Sequence, residues 1–196
     1  MKIHLQTPSE IRPQIWIELG RASLDRHHEW RTPVLASTDA DGLPDARTVV
    51  LRQVDAGAGQ LTFYTDSRSP KVAQLQAKSP AMLVFWSARL SWQLRVRVAC
   101  TVITAGPEVD VLWQGVKQSA AAGDYLSLLP PGVVLPQTSG KANVETASVD
   151  PANAPAPAHS FAILRAQVLQ MDWLELSREG HRRAQLSDTT WEWLTP

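Results

Sequence analysis

The sequence predicts an α+β fold: an antiparallel sheet curled into a barrel, with flanking helices. Two observations carry this. Between residues 33 and 103, short apolar and β-branched runs alternate with turn-forming clusters such as Asp39-Ala40-Asp41-Gly42-Leu43-Pro44 and Ala56-Gly57-Ala58-Gly59, the spacing of antiparallel strands. Stretches of helical periodicity interrupt the strands, and there is no regular repeat. About seven strands and three helices in one domain over residues 1–196 fit an α+β barrel.

Taken in order, residues 9–30 read as a helix, with Ile11, Ile15, Leu19 and Ala22 at helical spacing. Thr7-Pro8-Ser9-Glu10 resembles a capping box, and a start near Ser9 places Pro13 in the first turn. Strands follow at Pro33–Thr38, Ala46–Val54 and Gln60–Thr65, forming a meander. Ser69 caps a helix running through Lys78, with Pro70 at its first position. Ala81–Trp86 is a continuous apolar strand. In Trp92–Ile103, Leu94, Val96, Val98, Cys100 and Val102 face one way, and Gln93, Arg95, Arg97 and Ala99 face the other. Pro107–Gly123 suits a helix. Residues 130–158 are rich in Pro, Ala, Ser and Thr and read as a long loop. Phe161–Met171, Trp173–Leu176 and Trp191–Leu194 are the last strands, with a turn at Glu179-Gly180.

The totals narrow the function. Nineteen cationic and 19 anionic residues cancel, which weighs against a generic nucleic-acid binder. Any anion site must be built by position rather than by bulk charge. Cys100 is the sole cysteine, so there is no internal disulfide and no cysteine-rich metal centre. No metal site is expected, since the adjacent His27 and His28 do not converge on one ion. The first residues lack the apolar stretch of a signal peptide, and no window reaches the roughly 18 apolar residues of a membrane helix. The expectation is a soluble, cytoplasmic protein that engages neither membrane nor nucleic acid.

The most informative stretch is Arg47-Thr48-Val49-Val50-Leu51-Arg52, followed by Tyr64-Thr65-Asp66-Ser67-Arg68-Ser69-Pro70-Lys71. A strand bearing cations is answered by a strand end rich in hydroxyls and cations. Arginine offers phosphate a planar fork of donors and lysine a point charge. Ser69 and Lys71 would stand at a helix N-terminus, which favours an anion. Two ordinary strands with a solvated turn would show the same residues.

Together the motifs resemble the pyridoxamine 5′-phosphate oxidase-like flavoproteins, which bind FMN in a split β-barrel. Arg47-Thr48-Val49-Val50-Leu51-Arg52 resembles the family's cationic flavin strand, with Arg52 replacing a lysine. Tyr64 and Thr65 resemble residues that touch the flavin, and Ser69-Pro70-Lys71 resembles a Ser-Arg-Lys phosphate clamp. Gln93 matches a glutamine that approaches the cofactor. Lys117-Gln118-Ser119 matches a segment in which Gln118 and Ser119 would reach FMN across a dimer interface. Trp173 and Arg183 match the Trp and last Arg of a C-terminal segment that contacts FMN, with His181 between them as the sole acid–base candidate. The resemblance implies FMN as cofactor, a homodimer, and oxidoreduction of a small molecule that the sequence does not identify.

Two departures stand out. Pro70 replaces an arginine, for which Arg68 offers a substitute charge. Glu179 and the stretch Thr101–Glu108 replace the cations that hold substrate phosphate in the vitamin-phosphate oxidases, and Glu108 would repel a phosphate. The cofactor half of the pattern is retained and the substrate half is absent. A non-catalytic flavin carrier or sensor is the alternative reading.

Overall fold

A computed structural model describes residues 7–135, 159–187 and 190–196. The loop expected at 130–158 lies outside the described residues from position 136 onward. Helix α1 (Pro8–Leu24) starts at Thr7, whose N–H is taken by the Glu10 carboxylate at 3.1 Å. Ile11, Ile15, Leu19 and Ala22 are fully buried, as their spacing predicts. The helix ends at Leu24 rather than near residue 30. Asp25 turns extended there, and its side chain accepts the His27 N–H at 2.8 Å. A separate 3-10 turn, Glu29–Arg31, follows, capped by the His28 ring. Pro13 lies inside α1, where the N–H it lacks would have met the carbonyl four residues back.

The strands are β1 (Val34–Thr38), β2 (Pro44–Thr48), β3 (Leu51–Asp55), β4 (Gln60–Asp66), β5 (Pro80–Ser87), β6 (Trp92–Ile103), β7 (Phe161–Glu175), β8 (Arg182–Leu186) and β9 (Trp191–Leu194). Helix α2 (Pro70–Ala77) precedes β5, and α3 (Pro107–Val116) follows β6. The strand expected over Ala46–Val54 is therefore two strands. β2 pairs with β1, β3 pairs with β4, and at the break the Val49 N–H turns to the Pro33 carbonyl at 3.0 Å.

That break explains the barrel. The hydrogen-bonded order is β2-β1-β5-β6-β7-β4-β3, all antiparallel, so β2 and β3 stand at opposite ends of the path. Yet only Val49 and Val50 separate them in sequence. Such a link spans at most about 11 Å, so the sheet must curl until its ends nearly meet. β7 supplies the split. Its first half pairs with β4 through Gln167, and its second half pairs with β8 from Met171. A bulge in the β6–β7 ladder at Leu169 marks the change of partner. Because β6 flanks β7 along its whole length, no break separates Phe161–Met171 from Trp173–Leu176, contrary to the sequence expectation. β8 was not anticipated, because only Ala184 and Leu186 of its residues are apolar. The helix expected to reach Gly123 stops at Val116, where Ser119 donates to the Val116 carbonyl and accepts the Ala121 N–H.

The main core fills the barrel beneath α1. Trp30, Phe85, Trp92 and Trp173 touch in sequence across it, with Trp30 5.7 Å from Phe85 and 6.4 Å from Trp92, and Trp92 5.3 Å from Trp173. Glu18 is fully buried in this region and accepts from Arg21, His28 and Arg89 at 2.7, 3.0 and 2.7 Å. Burial pushes its pKa up, but these donors outweigh it and hold Glu18 below the usual glutamate value. His28 is thus enclosed rather than part of a solvated face. A second cluster, Val109, Trp113, Tyr125, Phe161 and Ile163, lies under α3.

Candidate cofactor site

β2 and α2 bring two cations together. Arg47 lies opposite Leu35 of β1. Its guanidinium donates to Ser37 Oγ at 2.6 Å, Gln74 Oε1 at 2.9 Å and Asp45 Oδ2 at 2.5 Å. One turn before Gln74 on α2, Lys71 donates its Nζ to Thr65 Oγ1 at 3.0 Å and Ser69 Oγ at 2.8 Å. Thr65 and Ser69 are buried. Burial lowers the Lys71 pKa, and the nearby Arg47 charge lowers it further.

Among the described residues no carboxylate lies within ion-pair distance of Lys71. Asp66 and Asp45 act on it only from beyond contact, and burial together with Arg47 outweighs them, so a partly buried ammonium bonded only to hydroxyls can take an anion. It stands at the N-terminus of α2, where backbone N–H groups also favour an anion. A phosphate fits this donor set.

A third cation, Arg52, lies on β3. The β3–β4 register slips between Leu51 and Gln53, leaving Arg52 as the extra residue of a bulge. Bulges re-aim side chains, and here the guanidinium lies 5.5 Å from the Tyr64 ring centroid. Its Nε is buried without a hydrogen-bond partner, and no carboxylate pairs with it among the described residues. Tyr64 in turn packs on Phe161 at 5.0 Å. Tyr64 and Thr65 point to opposite faces of β4, so one serves Arg52 and the other Lys71. An orphaned Nε beside an aromatic face suits a planar ligand with acceptors at its edge.

The other expected residues divide. Thr48 is exposed at the end of β2, Val49 and Val50 form the link, and Leu51 is fully buried in the core. Leu51 therefore offers a ligand only its backbone. Gln93 is half-buried on the outward face of β6, between Trp86 and Leu174. Gln118 and Ser119 are exposed, and among the described residues no hydrogen bond joins them to Arg47, Lys71 or Arg52.

Four expected residues have other partners within this chain. Arg68 grips Asp66 through Nε at 3.0 Å and Nη2 at 2.7 Å. Trp173 is fully enclosed, edge-on to Trp92, with Arg182 5.6 Å from its ring centroid, so it is a core residue within this chain. Arg183 is committed to Asp172 at 2.9 and 2.7 Å. His181 is exposed beside an open depression of about 500 Å³ lined by Ser91, Ser177 and Arg178, and its Nδ1 accepts the Ser177 N–H. It does not join the cation cluster.

Sequence reading missed Ser37, Asp45 and Gln74, which hold Arg47. Gln74 left a usable signal, since it stands three residues after Lys71 on one helix face. It also missed the lock formed by Asp66 and Ser160, whose Oγ donates to Asp66 at 2.7 Å.

Comparisons with known proteins bear on the family of the chain. Residues 13–104 match a family model described as the pyridoxamine 5′-phosphate oxidase FMN-binding domain. A pyridoxine/pyridoxamine 5′-phosphate oxidase of Paracoccus denitrificans is 38% identical over 81 residues, 40% of this chain and 37% of the relative. Another from Mycolicibacterium gilvum is 27% identical over 92% of this chain and 87% of the relative. The first three curated relatives are matched over only 37%, 40% and 54% of their own lengths. A solved pyridoxamine 5′-phosphate oxidase-related, FMN-binding protein of Nostoc punctiforme superposes with a TM-score of 0.70 at 26% identity, covering 98% of this chain and all of that one. PhzG of Burkholderia lata, solved with tetrahydrophenazine-1-carboxylic acid, shares the fold at a TM-score of 0.69 and 20% identity, with both chains fully covered.

Proposed function

We propose that the chain belongs to the pyridoxamine 5′-phosphate oxidase-like FMN-binding family, which its matches support, and that it is an FMN-dependent oxidoreductase. In this reading it acts as a homodimer on a small molecule other than pyridoxamine 5′-phosphate. The observation that carries the reading is Lys71, a half-buried cation bonded to hydroxyls, with no carboxylate within ion-pair distance among the described residues, set beside Arg47. FMN is the family's cofactor, and when bound it supplies two-electron exchange with a substrate. Lys71, Ser69, Thr65 and Arg47 would hold its phosphate. Charge-assisted hydrogen bonds of this kind contribute roughly 1.5–3 kcal/mol each. Arg52 would set a fixed positive charge at the ring edge, which favours electron uptake.

The substrate side supports a different specificity. Thr101 to Glu108 offers no cation, and Glu108 is ion-paired with Arg165. The pairing cancels the repulsion expected of Glu108, yet it also occupies Arg165. For the dimer, the support is that Gln118 and Ser119 are exposed and lie outside the chain's own cation cluster. In addition, Val34 and Trp86, both on the outward sheet face, are 37% and 47% exposed.

The purified protein is expected to show flavin absorbance and to be reduced anaerobically by at least one of a panel of amines, reduced nicotinamides and phosphorylated vitamers. Colourless protein that takes up no FMN contradicts the cofactor assignment. Bound flavin that no donor reduces points to the carrier or sensor role instead.

A further inference from the structure

One side chain at the site belongs to no recognised motif yet bonds Arg47 and both of the other side chains that Arg47 bonds, Ser37 and Asp45. Gln74 Oε1 accepts from the Arg47 guanidinium at 2.9 Å and from Ser37 Oγ at 2.6 Å. Its Nε2 donates to Asp45 Oδ2 at 2.8 Å. The same Asp45 oxygen accepts from Arg47 at 2.5 Å. The amide thus bonds both members of the direct Arg47–Asp45 ion pair, with its oxygen on the cation and its nitrogen on the carboxylate. Only an amide fills both roles at once, since a carboxylate lacks the donor and an alkyl chain lacks both. Gln74 also stands one helical turn from Lys71, so α2 holds both cations of the cluster in one rigid frame.

We propose that Gln74 is the positioning residue that sets phosphate selectivity at this site, by fixing the Arg47 fork and taking a share of the Asp45 carboxylate that Arg47 also bonds. The proposal deepens the FMN reading above and rests on it. Two consequences follow. Without Gln74, Asp45 becomes the remaining charged partner of Arg47, and the fork turns toward an internal anion. With glutamate in its place, two carboxylates flank Arg47 and face one another across what is now a 2.8 Å hydrogen bond. Either change weakens a bound phosphate and leaves contacts to an uncharged ring system untouched. Asp45 is held below the usual aspartate range, first by the Gln74 hydrogen bond, in keeping with an amide that is engaged with it.

The test compares FMN with riboflavin, which has the same ring and no phosphate, by titrating apo-protein of the wild type and three variants. For Gln74→Glu, FMN affinity is expected to fall by about tenfold or more while riboflavin affinity stays within about twofold. Gln74→Ala is expected to show a smaller loss, again confined to FMN, and it gives the answer if the glutamate variant does not fold. The double variant Gln74→Glu with Asp45→Asn swaps amide and carboxylate, and it is expected to recover most of the FMN affinity. Equal losses for both ligands, no loss in either single variant, or no recovery in the double variant would overturn the proposal. A wild-type protein that binds both flavins equally would instead defeat the phosphate-clamp reading, which separates the two failures.

Discussion

At the residue scale, Lys71 decides how the site responds to pH. Its pKa is depressed by burial and by Arg47, so the free protein loses that charge at a lower pH than an ordinary lysine. A bound dianion favours the charged form. FMN affinity is therefore full below the depressed Lys71 value and falls as pH rises through it, short of the usual lysine range near 10.4. Lys71→Arg is expected to shift this alkaline limb upward, because a guanidinium stays charged. Fluorescence titrations across pH measure this, and identical limbs in both proteins would count against Lys71 as the phosphate cation. Arg47, Ser69 and Lys71 were legible in the sequence because their chemistry is unusual on a strand end and a helix start. Arg52 was legible as a residue, but its direction was not. A bulge is a one-residue slip between ladders, and no side-chain alternation announces it. The surroundings of Trp173 and Arg68 were not legible for a related reason: a motif gives a residue's order in the chain, whereas Trp92, Asp66 and Ser160 decide where the side chain lies.

At the scale of elements, the turn from β4 into α2 carries Thr65, Ser69 and Lys71, and a buried carboxylate holds it. Asp66 is 6% exposed and accepts from the Arg68 N–H at 2.8 Å, from its guanidinium, and from Ser160 Oγ. The Ser67 N–H completes the lock on the Ser160 carbonyl at 2.7 Å. Burial alone would raise the Asp66 pKa, but these donors prevail and lower it. Its stabilising share is therefore present above the ordinary aspartate value and is lost as pH falls through the lower folded value. Asp66→Ala is expected to cost about 1–3 kcal/mol of stability, leaving Ser160 and Arg68 without their acceptor. Denaturant unfolding measures it, and an unchanged midpoint would contradict the lock. The helical faces and the alternation in β6 were legible, since both follow from a strict period. The division of β2 from β3 was not, because Val49-Val50 suits a continuous strand. Only the pairing of β2 with β1 and of β3 with β4 breaks it.

For the molecule as a whole, barrel closure follows from one short link, and the cations of the proposed site flank it. Arg47 precedes Val49-Val50 and Arg52 follows it, so closing the barrel and building the site are a single event. Two copies are expected to associate through the outward sheet face. Trp86→Glu should then yield monomers by analytical ultracentrifugation and reduce FMN binding, whereas an unchanged sedimentation coefficient would place the interface elsewhere. Turnover of pyridoxamine 5′-phosphate is expected to be poor, because Thr101–Glu108 supplies no free cation for its phosphate. The central claim is that Lys71 and Arg47 hold a phosphate, and equilibrium titration of apo-protein with FMN tests it most directly. Lys71→Ala and Arg47→Ala should each weaken binding by about tenfold or more, with circular dichroism unchanged; titration curves for both variants that overlay the wild type would contradict it.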